Sequence, residues 1–74
     1  MFLASADQLL FEEAMANGRE IIRNLGDAPR LIAHYGEGEW VKMHWAHKAL
    51  DGSVIVIHWF RNLTTGQNVE IKFK

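Results

Sequence analysis

The 74-residue chain has no cysteine, a single proline and no long apolar run, and its charges almost cancel. Each of these lacks removes a class of protein. Without cysteine there is no disulfide, no thiol nucleophile and no thiolate-held metal, which suits a reducing, cytoplasmic compartment. No apolar stretch approaches the roughly 18 residues that span a bilayer, so no membrane helix is expected. The start, Met1-Phe2-Leu3-Ala4-Ser5-Ala6-Asp7, has no basic n-region and meets Asp7 too soon for a secretory leader. Eight Lys or Arg against nine Asp or Glu, with 49% apolar residues, excludes the polar, highly charged composition of a disordered chain. What remains is one small domain, residues 1–74. A chain this short buries only about 60% of its unfolded surface. With no covalent staple, it is expected to gain from oligomerisation or a partner.

The near-zero total conceals a division. Residues 1–39 hold three arginines against seven carboxylates, and residues 40–74 hold five cations against two. The acidic half reads as helix. Ser5 and Gln8 have capping-box spacing. Leu10, Phe11, Ala14, Met15, Gly18, Ile21, Ile22 and Leu25 follow at three- and four-residue intervals, which predicts one helix running to a stop at Gly26. Asn17-Gly18 weakens it in the middle. Asp27, Pro29 and Gly36 bound a short second helix over Ala28–Tyr35.

The basic half reads as strands over Trp40–Ala49, Ser53–Arg61 and Gln67–Phe73. Asp51-Gly52 marks a two-residue hairpin turn, and residues 63–66 form a second loop. The expected fold class is α+β: an N-terminal helix and a short second helix packed on a three-stranded antiparallel meander, α-α-β-β-β. A two-residue turn sets Leu50 opposite Ser53, Trp45 opposite His58 and Lys42 opposite Arg61. The second loop pairs Phe60 with Val69 and His58 with Ile71. Val41, Met43, Trp45, Val54, Val56, Phe60, Val69, Ile71 and Phe73, with His47 and His58, then make the face beneath the long helix. The other face gathers Trp40, Lys42, His44, Lys48, Ile55, Ile57, Trp59, Arg61, Lys72 and Lys74. It is basic and aromatic, and function is expected there.

Four histidines raise the question of a metal. His44 and His47 form an H-x-x-H, but on a strand that spacing sends the rings to opposite faces, so no shared metal and no other cofactor is expected. His44, on the face of Lys42, Arg61 and Lys72, is a candidate acid–base group. His58 reads either as a second such group or as a neutral histidine in the core. Lys42, Lys48, Arg61, Lys72 and Lys74 would neutralise phosphates, and Trp40 and Trp59 would stack on bases, the make-up of a single-stranded nucleic-acid surface. The same residues have plainer readings. Lysines protect edge strands, and Trp59, Ile55 and Ile57 would serve as a homodimer seam. Gly36-Glu37-Gly38-Glu39 is too acidic to cradle a phosphate.

Several stretches carry a resemblance: Pro29-Arg30-Leu31-Ile32-Ala33-His34-Tyr35-Gly36, Trp40-Val41-Lys42-Met43, Ile57-His58-Trp59-Phe60-Arg61-Asn62, Thr65-Gly66 and Val69-Glu70-Ile71-Lys72-Phe73-Lys74. Together, over residues 19–74, the chain resembles the C-terminal toxin domains of bacterial polymorphic toxins of the contact-dependent-inhibition and Rhs type. That resemblance implies a barnase/EndoU/colicin/RelE-like ribonuclease fold and metal-independent cleavage of RNA, often tRNA. It also implies an immunity protein as partner, and Lys42, His58 and Lys72 as the matching positions. The chain departs from the pattern twice. Such domains usually carry a fourth strand or more preceding sequence, and they keep a histidine in an open cleft, whereas the register above puts His58 on the core face. The expected function is RNA binding with metal-independent ribonuclease activity. His44, His58 and Lys42 are its catalytic candidates, and Lys48, Trp59, Arg61, Lys72 and Lys74 are its RNA-binding candidates. The alternative is a non-catalytic interaction module, either a homodimer or a toxin remnant that binds an immunity-like partner.

Overall fold

The computed structural model describes the backbone from Ser5 and side chains from Leu9; Met1–Ala4 and the Ser5/Gln8 cap lie outside the described residues. In chain order the elements are α1 (Ser5–Asn17), β1 (Arg19–Ile22), α2 (Ala28–Tyr35), β2 (Trp40–Lys48), β3 (Val54–Asn62) and β4 (Asn68–Phe73). The strands form one antiparallel sheet in the order β1-β2-β3-β4. The class is α+β as expected, with four strands in place of three. Among the described residues, no helix is long and apolar enough to cross a membrane.

The added strand is the second half of the expected long helix. The Gly18 N–H makes the last helical bond, 2.8 Å to the Ala14 carbonyl, and the chain then extends. A Cβ on Gly18 would overlap the Trp59 indole, so the crossing at that point requires glycine. Beyond it, Ile21 and Ile22 favour a strand, and Arg19, Glu20 and Arg23 guard an edge that is exposed throughout.

The first hairpin closes through a three-residue loop. The Gly52 N–H donates to Ala49 O at 3.0 Å and the Ala49 N–H to Ser53 O at 2.8 Å. Gly52, at φ 90°, takes the left-handed conformation such a loop ends on. The register therefore differs by one residue from the expected one: His44 faces His58, Trp45 faces Ile57 and Lys42 faces Phe60. That slip turns β3 over. The second loop closes as expected, with Phe60 opposite Val69. Glu70 then bulges out of β4 at a positive φ of 54°, and His58 meets Lys72 instead of Ile71.

Each face of the sheet carries a helix. Between α1 and the sheet lie Ala14 of the helix and Val41, Met43, Ile57 and Trp59 of the strands, all buried. Between α2 and the other face lie Leu31 of the helix and Trp40 and Val69 of the strands, flanked by Leu25, Ile32, Tyr35 and Phe60. Val56, Phe60 and Val69 thus do not sit beneath α1, and Ile57 and Trp59 do. This also removes the expected dimer seam, because Ile57 and Trp59 are covered within the chain. Asn62, buried at the end of β3, holds the loop after α2 in place. Its Nδ2 donates to Glu37 O at 2.9 Å, and its Oδ1 accepts from the N–H groups of Thr64 (2.9 Å) and Thr65 (3.3 Å).

Candidate functional site

Helix α2 has eight residues, about 12 Å of helix, and so covers only part of its face. It rests on Trp40, Phe60 and Val69 and leaves the stretch beyond them open. At the border, one row of paired residues crosses all four strands: Arg19, His44, His58 and Lys72. Residues paired directly across an antiparallel ladder share a face, so an arginine, two imidazoles and a lysine stand side by side. His44 Nδ1 lies 2.8 Å from His58 Nε2, with ring centroids 5.0 Å apart. One of those nitrogens carries the shared hydrogen and the other accepts it.

Two depressions meet at this pair. One, of about 280 Å³, is lined by Arg30, Lys42, His58, Glu70, Lys72 and Lys74 among others. The second, of about 390 Å³, is lined by Asn17, Arg19, His44, Trp45 and Ala46. His58 therefore belongs to the first and His44 to the second, and their shared hydrogen bond spans the divide.

Burial, and then the positive neighbours His44, Lys42 and Lys74, push His58 below its ordinary pKa of 6.5. It is neutral at neutral pH. Its Nδ1 is buried without a hydrogen-bond partner. The carboxylates lining the first depression are engaged elsewhere. Arg30 holds Glu70 by two bonds, Nη1 to Oε2 at 2.6 Å and Nη2 to Oε1 at 3.0 Å, and the Tyr35 hydroxyl donates to Glu70 Oε2 at 3.1 Å. The Arg30 bond keeps the Glu70 carboxyl below the usual range, hence ionised. Asp27 also faces Arg30, at 3.8 Å. Arg19, Lys42, Lys72 and Lys74 have no acidic partner among the described residues. Four cations that form no salt bridge among the described residues, beside the His44–His58 pair, make a receptor for an anion.

Of the residues expected to act, the fold brings Lys42, His44, His58, Lys72 and Lys74 together. Lys48 stands on the same side but at the exposed far end of β2. Two expectations are corrected. Trp59 is 1% exposed beneath α1, its Nε1–H donating to Asn68 Oδ1 at 2.9 Å, so it offers no face to a base. Arg61 lies on that side too. It donates from Nε to Asn68 Oδ1 and from Nη2 to Met15 O, both at 2.8 Å, with its guanidinium 5.7 Å above the Trp59 ring. It braces α1, and the expected Lys42–Arg61 pairing does not form. Trp40 is likewise buried, under α2.

The H-x-x-H divides as strand geometry requires: His44 joins His58, while His47 stacks on Trp45 with ring centroids 5.5 Å apart. Among the described residues no three His, Asp or Glu side chains gather as metal ligands. Sequence reasoning missed Arg19, Arg30 and Glu70. For Arg19 the signal was present, a glycine followed by two isoleucines, but the helical stripe overrode it. For Glu70, in an alternating strand, nothing marked the bulge. No protein-family model, curated protein or solved structure matches the chain.

Proposed function

We propose that the protein binds RNA on the open part of the α2 face and cleaves it without a metal. One observation carries the reading: two histidines joined at 2.8 Å stand between Arg19 and Lys72 in one row across the sheet. Lys42, His58 and Lys72, the positions implied by the resemblance to polymorphic-toxin ribonucleases, line one cleft, which supports it.

The chemistry follows from the pair. When the His44 Nδ1–H donates to His58 Nε2, His44 Nε2 is left with a lone pair and can act as base. It takes the proton of the ribose 2′-OH while the 2′-oxygen attacks phosphorus. The bond from phosphorus to the 5′-oxygen breaks, and that oxygen takes up a proton from water. The products are a 2′,3′-cyclic phosphate and a 5′-hydroxyl. Lys42, Lys72 and Lys74 offset the charge that builds on the phosphate oxygens. His58 is a positioning residue, fixing the His44 tautomer and stabilising its cationic form through their shared bond. An immunity-like protein that covers the cleft is the partner this reading implies.

The test is purified protein with total RNA at low salt in EDTA, comparing wild type with His44→Ala, His58→Ala and Lys42→Ala. Wild type should leave 2′,3′-cyclic ends. His44→Ala, with unchanged circular dichroism, should lose about 10²–10⁴-fold in rate. The absence of both cleavage and salt-sensitive RNA binding in wild type would refute the proposal. Binding without cleavage would refute only its catalytic step.

A further inference from the structure

We infer that the site takes an internal stretch of single-stranded RNA laid across the strands, with the reacting phosphate over the His44–His58 pair and a neighbouring phosphate on each side, one at Arg19 and one at Lys72 and Lys74. The inference rests on the RNA reading above and adds the direction, the length and the missing subsite.

The first argument is length. Neighbouring strands lie about 4.8 Å apart, so a row across four of them spans about 14 Å. Arg19 and Lys72 stand at the two ends of that row, with the two histidines between them. The second is the divided surface. Two depressions flank the imidazole pair, and each brings cations that form no salt bridge among the described residues: Arg19 on one side, Lys42, Lys72 and Lys74 on the other. The third is openness. The row ends on the two edge strands of the sheet, with Arg19 exposed on β1 and Lys72 and Lys74 exposed on and just beyond β4. A polynucleotide can therefore enter over one edge and leave over the other, and the site does not require a chain end.

Trp40 and Trp59 are buried and offer no stacking face, and the cations of the row make affinity for the strand strongly salt-dependent. Arg19 is a substrate-binding residue here, with two strands between it and the lysines that hold the other neighbouring phosphate.

The experiment uses 2′-O-methyl oligoribonucleotides, which bind without being cleaved, containing one to six phosphates. Their anisotropy is titrated against salt for wild type, Arg19→Gln, Arg19→Lys and Lys72→Gln. Affinity should climb to about three phosphates and then level off. Single strands give a salt slope of about −0.7 per phosphate contact, so wild type should approach −2. Arg19→Gln should lower that slope by about 0.7 and move the plateau one phosphate earlier, and Arg19→Lys should restore both. A circular oligomer should bind as a linear one does. Affinity independent of length beyond one phosphate, an unchanged slope in Arg19→Gln, or a requirement for a chain end would overturn the inference while leaving RNA binding intact. If the oligomers do not bind and RNA is not cleaved, both fall. Length-dependent binding with no cleavage keeps this inference and removes only the catalytic step.

Discussion

A pair of substitutions one residue apart tests the register on which the site depends. Ile57 is fully buried between the sheet and α1, whereas Val56, its neighbour, points to the other side and is only half-buried. Ile57→Asp loses about 1.5–3 kcal/mol of apolar burial. It also places a carboxylate among Ala14, Val41, Met43 and Trp59, where desolvation costs several kcal/mol more. A chain this long has roughly 4–11 kcal/mol of stability in total. Ile57→Asp should therefore unfold the protein. Val56→Asp changes the open side and should cost about 1 kcal/mol, with a cooperative transition retained. Ile57→Ala, at about 2–5 kcal/mol, falls between the two and should remain measurable. Urea unfolding followed by tryptophan fluorescence reads all three. A folded Ile57→Asp beside an unfolded Val56→Asp would mean that β3 is turned the other way, with His58 in the core. The site described above would then not exist.

Gly18→Ala should be destabilising by about 1–3 kcal/mol, because the added methyl overlaps the Trp59 indole, and the urea midpoint should fall accordingly. No loss would mean that the chain does not cross that ring. Stability should also fall with acid in a window set by His58. Its pKa is lowered on folding, so the unfolded chain binds a proton that the folded one refuses. The contribution is complete above the ordinary value of 6.5 and is lost as the pH falls from there through the lower folded value. Urea midpoints from about pH 8 down to about pH 5 should show this decline, and His58→Ala should flatten it. An equal decline in the variant would assign the titration to another group.

Much of the architecture was legible because local rules and tertiary packing agree. Asp27, Pro29 and Gly36 bound α2 in the sequence and in the fold, and Phe60 pairs with Val69 across the loop that the turn residues marked. The long helix was misread because residues 19–25 satisfy the helical stripe. What ends the helix is Trp59, about forty residues later in the chain, and no local pattern reports that contact. The register turned on a finer point. Asp-Gly fits both a two-residue turn and the end of a three-residue loop, and the two differ by one position. Alternation normally settles such a choice, but β3 is covered by α1 on one side and partly by α2 on the other. Its run of Val54, Ile55, Val56 and Ile57 therefore shows no preferred face. That single residue of slip separates a histidine buried beside Val56 in a core from one bonded to His44 in a basic cleft. The individual candidates Lys42, His44, His58 and Lys72 were readable as chemistry-bearing residues. That three of them, with Arg19, form one continuous row follows only from the three-residue loop, the glycine crossing and the Glu70 bulge acting together, and each of these sets the register of a different strand pair.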